Sequence, residues 1–178
     1  TQDLNRSLER LSSGLRINRA ADDAAGLAIA EGFRSVVRGN QQAQRNSQDG
    51  VSLVQTAEGS LSETTNILQR IRELAVQAAN CTQTTVNRLA IDGEVAQLLS
   101  QIDDIATTTQ FNGISVLSGQ TITLQSGAMT SQTLSIPLSG TRTTELGLSI
   151  LRVSTMATAV SAISTIDNAL KSVTTLRS

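Results

Sequence analysis

The sequence lacks, or nearly lacks, several of the side chains that reactive sites and ligand pockets use most often. It has no His, Trp or Tyr, and its 178 residues include one Cys, one Pro and two Phe. Without His, the commonest general base and zinc ligand is missing, and one Cys can form neither an internal disulfide nor a cysteine zinc cluster. Because aromatic residues make up only 1% of the chain, the core must be aliphatic. Such a core favours helix–helix packing over a deep ligand pocket, which usually recruits aromatic side chains.

Charge and hydropathy argue against two further classes of partner, nucleic acids and membranes. Fourteen basic residues face fifteen acidic ones, giving a net charge of −1, and Lys171 is the only Lys. This composition has neither the basic excess nor the interleaved aromatics of a nucleic-acid-binding protein. No apolar run approaches membrane-spanning length, and no cleavable signal-peptide pattern is present. Neither nucleic acid nor a membrane is therefore an expected partner.

No motif points to catalysis, a cofactor or a metal. Asp22-Asp23 and Asp103-Asp104 are adjacent pairs, and adjacent residues in a helix do not converge on one site, so we interpret them as capping or solvated residues. Ser12-Ser13-Gly14 has no His to activate a nucleophile, and Cys81 lies in a polar segment, where we interpret it as a free thiol. The sequence therefore predicts a protein that is not an enzyme and has no cofactor.

Apolar residues recur at helical spacing over most of the chain. A short stripe at Leu4, Leu8 and Leu11 predicts a helix that stops at Gly14. Asp22-Asp23 then supplies a carboxylate cap for a long helix. The periodicity predicts long helices over about residues 24–79, 86–109 and 154–178, with a spacing close to the roughly 3.5 residues of a coiled-coil seam. A short polar loop between the first two makes them antiparallel.

We predict that one set of apolar residues forms the seam along which these helices pack. Its members recur every three or four positions and so share one face of each helix. The predicted seam consists of Val54, Leu61, Leu68 and Ile71 in the first long helix, Val95, Leu98, Ile102 and Ile105 in the second, and Ile163, Ile166 and Leu170 in the third.

Between the second and third long helices, Thr, Ser and Gly become frequent. Alternation of apolar with polar residues predicts short strands at 114–117, 121–124, 133–138 and 146–151, and the sequence FNG at 111–113 predicts a turn. Pro137 is expected on an edge strand or at a strand end. The predicted fold is mainly α with a small β region at about 111–151: a long antiparallel helical bundle or coiled coil with β-hairpins.

The segment LQRIRELAVQ, residues 68–77, divides between a buried and an exposed face. With about 100° of rotation per residue, Leu68 and Ile71 fall on the apolar arc, whereas Arg70 and Gln77 fall on the other side of the helix. Leu74 falls on the border. The pattern leaves two interpretations of Leu74 open: packing at the flank of the core, or an anchor for a protein interface.

Several segments of the chain resemble bacterial flagellin. They are ERLSSGLRINRAADDAAGLAIAEGFRS (9–35), QRNSQDGVSLVQTAEGSLSE (44–63), ILQRIRELAVQAAN (67–80), TQFNGISVLSG (109–119) and IDNALKSVTTLRS (166–178). The resemblance covers essentially the whole chain and is most specific over 9–80. It implies the flagellin core-domain fold, with residues 1–22 as the remnant of an inner-core terminal helix and its connector, and residues 23–178 as the outer core domain. The uncapped helical patterns at both ends are those expected of a truncated fragment.

The resemblance also implies a function. It suggests a structural subunit of the secreted, extracellular flagellar filament, a motility organelle in which flagellin subunits assemble with one another through their terminal helices. The family's export and chaperone signals resemble terminal segments outside this sequence, so an export chaperone is an expected partner of the parent protein rather than of this fragment. The alternative is a hook–filament junction protein, which shares the terminal helices, but the match over 44–80 favours flagellin.

Flagellins are further sensed by an animal Toll-like receptor of innate immunity through the outer core helices. The family's receptor-contact motif matches Gln69, Arg70 and Leu74, with Glu94 on the adjoining helix. Gln77 lies on the same exposed face as Arg70. The resemblance therefore implies that these five residues bind the receptor.

Overall fold

The computed structural model describes residues 2–177, apart from the side chains of Gln2, Asp3, Asn5 and Arg6. Its helices are α1 (Gln2–Ser13), α2 (Ala24–Ala79), α3 (Thr85–Thr108) and α4 (Met156–Leu176), and its strands are β1 (Gln110–Phe111), β2 (Ile114–Ser115), β3 (Thr121–Gln125) and β4 (Thr133–Pro137). The predicted fold class, mainly α with a small β region, is confirmed. Predictions for Thr1 and Ser178 lie outside the described residues.

The chain forms two compact units. The first unit consists of Thr1–Gln48 with Gln125–Leu134, and the second of Asp49–Leu124 with Ser135–Ser178.

Within the first unit, polar side chains form the connector between α1 and α2. Helix α1 ends as predicted, since Gly14 has a φ of 68° and donates its N–H to the carbonyl of Arg10 at 2.9 Å. The Asp23 carboxylate accepts the N–H of Gly26 at 2.9 Å, which satisfies one of the donors left free at the start of α2. Arg19 pairs with Glu9 at 2.9 Å and ties the connector to α1.

The tip of the β3–β4 hairpin lies on α2 within this first unit. A Cβ atom on Gly39 would come within 2.8 Å of the Ala128 Cβ and 3.2 Å of its Cα, so only glycine allows this approach. The Asn46 carboxamide donates to the carbonyl of Gln125 at 3.0 Å and holds the base of the tip. Gly39 thus weakens the helix locally but creates the space for the hairpin.

The second unit is a bundle of three helices. Arg70 pairs with Glu94, and further along α2 the carbonyl of Ala78 accepts from Arg88, so α3 runs antiparallel to α2 as predicted. Helix α4 also runs antiparallel to α2. Its Asp167 pairs with Arg72, whereas Arg177, just after the end of α4, lies 3.5 Å from Glu58, about four helical turns before Arg72.

The core of this bundle is aliphatic. Of the predicted seam residues, six lie in the core and four are half-buried against it. The buried ones are Leu61, Leu68, Ile71, Val95, Ile102 and Ile166, and the half-buried ones are Leu98, Ile105, Ile163 and Leu170. Val54 differs, because 41% of it is exposed along a groove that Leu61 and Leu176 also line. The buried row of α2 instead runs through Leu53 and Ala57, so Val54 lies one position away from the packed face.

The β region is smaller than predicted. Asn112 and Gly113, with φ of 50° and 79°, form a two-residue turn between β1 and β2, as the FNG sequence predicts. Pro137 is the last residue of β4, in agreement with the expected strand end. Strands β3 and β4 form the second two-stranded sheet.

The predicted strand at 146–151 is wrong, since this segment consists of turns. Leu146, Leu148 and Ile150 alternate in the sequence as in a strand, but Ile150 is 89% exposed and Leu151 is buried instead. Leu148 donates its N–H to Thr143 across a tight turn at 2.7 Å, next to Gly147 at a φ of 71°. The burial pattern of this segment therefore follows its turns and not a β-ladder.

Two aspartates of α3 hold this loop in place. The Asp103 carboxylate accepts both the backbone N–H and the hydroxyl of Thr143 at 2.8 Å, and Asp92 accepts the N–H of Val153 at 2.7 Å. Asp92 and Asp103 are eleven residues apart and so lie on nearly the same face of the helix. The sequence alone suggested a capping or solvated role for Asp103, whereas the structure gives it a specific loop contact.

Candidate functional site

Three charged residues of α2 and α3 form an ion-paired cluster in the region that is predicted to bind the receptor. The Arg70 guanidinium donates to Glu94 Oε1 from both Nη2, at 2.9 Å, and Nε, at 3.3 Å. Its Nη1 donates to Glu73 Oε2 at 3.2 Å, one helical turn along α2. The side chains of Arg70, Glu73 and Glu94 are 51%, 70% and 47% exposed, so all three remain accessible to a partner.

The carboxylates of this cluster favour the charged form of Arg70. The hydrogen bond to Glu94 makes the largest contribution to a pKa of Arg70 above its ordinary value, and the hydrogen bond to Glu73 adds to it. Because an unperturbed guanidinium is already protonated at any physiological pH, the cluster presents one fixed positive charge between two carboxylates. Its planar donors are also fixed in direction, which suits recognition of a specific partner geometry.

Two glutamines extend the polar surface along α2. Gln69 and Gln77 are both exposed, and Gln77 lies two turns beyond Arg70. Within the part of the chain that the structure describes, neither side chain makes an internal hydrogen bond. Their amide donors and acceptors are therefore available to another molecule.

Leu74 does not lie at the border of the exposed face, as the helical angles predict, but is only 2% exposed. The physical reason is the position of α3. Arg70, Leu74 and Ala78 form one row at spacings of four residues, and α3 contacts this row at both ends, through Glu94 and Arg88. Leu74 lies between those contacts and is covered. A single helical wheel cannot reveal this, because it contains no information about where a second helix packs.

The five predicted receptor-binding residues thus separate into two groups. Gln69, Arg70, Gln77 and Glu94 share an accessible polar surface, which we call the α2–α3 polar face. Leu74 lies beneath that face, in the core that joins the two helices.

Sequence reasoning missed two parts of this region. Glu73 could have been found from its spacing, since residues three apart on a helix are neighbours and Arg70 is of opposite charge. The pair between Arg72 and Asp167, at 2.7 Å, joins residues 95 positions apart and leaves no local signal in the sequence. It lies on the opposite flank of α2 and provides a matched ion pair outside the α2–α3 polar face.

Other kinds of site find no support among the described residues. No group of three or more Cys, Asp or Glu side chains in that range is arranged to hold a metal ion. No helix there is long and apolar enough to cross a membrane. Cys81 is an exposed free thiol, in agreement with its interpretation from sequence.

Comparison with known proteins identifies relatives of the chain. The sequence model of the bacterial flagellin N-terminal helical region matches residues 1–121. The chain is 57% identical to a flagellin of Clostridium tyrobutyricum over 120 residues, covering 67% of this chain and 32% of the relative. It is 52% identical to a flagellin of Halalkalibacterium halodurans over 136 residues, covering 75% and 50%. The crystal structure of Bacillus cereus flagellin superposes with a TM-score of 0.69 at 33% identity, over 75% of this chain and 79% of that one.

Proposed function

The chain belongs to the bacterial flagellin family, and from this premise we propose that it is part of a structural subunit of the extracellular flagellar filament. It spans only a third to a half of the length of the curated relatives described above, so the activity and partners of the whole subunit are part of the proposal. Flagellins are structural proteins, and the subunit acts by assembling with copies of itself.

The observation that carries the filament proposal is a pair of exposed apolar stripes in the first unit. Leu8 and Leu11 of α1 are 55% and 83% exposed, and Ile29 and Phe33 of α2 are 61% and 67% exposed. Large apolar side chains repeated along one face of a helix mark a surface that another molecule covers. In a filament, neighbouring subunits or further parts of the same subunit would cover these stripes.

The test is filament assembly by a full subunit that carries this sequence. We expect Phe33→Ser to lower the yield of sedimentable filaments while leaving the helix content of the monomer unchanged, because Phe33 is exposed. Ile150→Ser, at a side chain that is 89% exposed in the loop before α4 and belongs to no helical stripe, is the control and should assemble normally. Normal assembly by the Phe33 variant would contradict the proposal.

A second proposal concerns the α2–α3 polar face, which we propose is bound by the flagellin-sensing Toll-like receptor. Arg70 and Glu94 come from different helices and are held in one geometry by their mutual hydrogen bonds. Such a pre-ordered, exposed Arg cluster loses little conformational freedom on binding. Exposed Gln69 and Gln77 supply further hydrogen-bonding groups beside it. In this proposal Leu74 contributes indirectly, by fixing the spacing of the two helices.

Binding to the receptor ectodomain, measured by surface plasmon resonance, tests this proposal. We expect Arg70→Ala and Glu94→Ala each to weaken binding about tenfold or more, the scale of an interface hot spot. Arg72→Ala removes the matched ion pair on the other flank of α2 and should leave the affinity unchanged. Equal effects of Arg70→Ala and Arg72→Ala would contradict a specific role for the polar face.

A further inference from the structure

The turn between β1 and β2 contains the only Asn-Gly pair in the sequence, Asn112-Gly113. Both residues are exposed and both have positive φ, 50° and 79°. They connect two paired positions, Gln110 with Ser115 and Phe111 with Ile114. Asn tolerates this left-handed conformation because of its short polar side chain, and glycine because it has no Cβ. The pair therefore suits the turn, but it also brings a carboxamide next to an unhindered amide nitrogen.

We propose that Asn112-Gly113 is a spontaneous modification site, at which Asn112 is converted to aspartate and isoaspartate. The Gly113 backbone nitrogen attacks the Asn112 Cγ, a new C–N bond forms, the bond from Cγ to the side-chain nitrogen breaks, and ammonia leaves. The product is a five-membered succinimide. Water then opens one of the two C–N bonds of the succinimide, giving aspartate or isoaspartate. Water is the only co-reactant, and no electron is gained or lost.

Three observations direct the reaction to this pair. Within the described part of the chain, neither the Gly113 N–H nor the Asn112 carboxamide makes a hydrogen bond, so no hydrogen bond must break before the two groups react. A Cβ placed on Gly113 would have no atom within 4 Å, so water has free access. The glycine also leaves its own nitrogen unshielded by a side chain, which a larger residue at 113 would not.

The competing positions in the chain are restrained. Asp49-Gly50 and Asp92-Gly93 lie inside α2 and α3, where helical hydrogen bonding occupies the glycine nitrogens. Asp92 also accepts the N–H of Val153. The Asn80 carboxamide accepts the N–H of Thr82 at 3.2 Å in the loop after α2. Among these positions, only the β1–β2 turn combines a glycine neighbour with an unbonded amide.

Isoaspartate at 112 would disturb a structural element of the second unit. The reaction inserts the side-chain methylene of residue 112 into the main chain, which lengthens a turn that has two residues. Pairing of Phe111 with Ile114 depends on that length. The two residues that follow β2, Val116 and Leu117, are buried in the core, and Val116 donates its N–H to the carbonyl of Thr109 at 3.2 Å. A lengthened turn should weaken this contact and loosen the hairpin.

The test is to age the folded protein in warm, mildly alkaline buffer and to analyse it by peptide mass spectrometry. We expect a gain of one mass unit confined to the peptide that contains residues 112 and 113. Labelling by protein isoaspartate methyltransferase with radioactive S-adenosylmethionine should mark the same peptide. Hydrogen exchange at the Val116 N–H should be faster in the aged protein than in the fresh one.

Two variants make the outcome decisive. Asn112→Gly keeps a sequence suited to the two-residue turn and should abolish both the mass gain and the methyl labelling. Asn112→Asp should abolish the mass gain but retain slow methyl labelling, because an Asp-Gly pair still forms a succinimide. A mass gain at another residue, its persistence in Asn112→Gly, or its absence from the unmodified sequence would overturn the proposal. Unchanged exchange at Val116 in aged, labelled protein would overturn its structural consequence.

Discussion

Replacing Leu74 by Ala should destabilise the second unit substantially. The change removes three carbon atoms from a residue that is 2% exposed, and at about 0.8 kcal/mol per buried carbon the transfer contribution is about 2.4 kcal/mol. The cavity left between α2 and α3 raises the expected loss to about 3–4 kcal/mol, within the range for buried Leu→Ala changes. For a chain of this size, that loss corresponds to a fall in the melting temperature of about 6–16 °C.

Urea denaturation followed by circular dichroism measures this loss directly. Leu74→Met conserves volume and should cost less than about 1.5 kcal/mol, and Val76→Ala, at a half-exposed position two residues away, should change stability little. Receptor binding by folded Leu74→Ala, measured well below its melting temperature, should fall less than binding by Arg70→Ala. A stability loss below about 1 kcal/mol together with abolished binding would refute the reasoning and make Leu74 a direct contact.

Two further predictions follow from the packing. Gly59→Ala should stabilise α2 by up to about 1 kcal/mol, since a Cβ there meets no atom within 4 Å. Gly39→Ala forces the hairpin tip away from the helix, so this variant should be less stable than Gly59→Ala by about 1–3 kcal/mol. Thermal unfolding and hydrogen exchange of the hairpin tip distinguish the two, and equal effects would contradict the close contact at Gly39. Thr141→Val should stabilise the protein by about 1 kcal/mol, because the buried Thr141 hydroxyl finds no hydrogen-bond partner among the described residues. Thr64→Val is the control, since the equally buried Thr64 hydroxyl donates to the carbonyl of Ser60, and a loss of stability in the Thr141 variant would contradict the prediction.

The sequence predicted the helices well because their signals are local. The glycine that ends α1, the Asp23 cap of α2 and the turn at Asn112 each depend on neighbouring residues, and each is present in the structure. The assignment of residues 1–22 and 23–178 to inner and outer core domains stays a prediction. So does receptor binding by the polar residues of α2 and α3.

The strand predicted at 146–151 was wrong because the sequence pattern does not show what the backbone bonds to. Leu146, Leu148 and Ile150 alternate with polar or small residues as in a strand, but nothing in that pattern identifies the hydrogen-bonding partner of the backbone. The backbone N–H groups of Leu146, Leu148 and Leu151 bond to nearby carbonyls within turns. The carboxylates of Asp103 and Asp92, far away in the sequence, hold the flanking residues Thr143 and Val153. Only an element with a strand beside it becomes part of a sheet.

The sequence by itself determined which faces of the helices are apolar, because the period of a helix is a property of its own residues. It also determined a composition without His, Trp or Tyr, which favours a structural protein over an enzyme, and the family match shows that structural character. The tertiary structure alone decided how far the apolar face of α2 extends, since the packing of α3 covers Leu74 and leaves Arg70 exposed beside it. Burial depends on the position of a second element, and no single helix encodes where its neighbour lies.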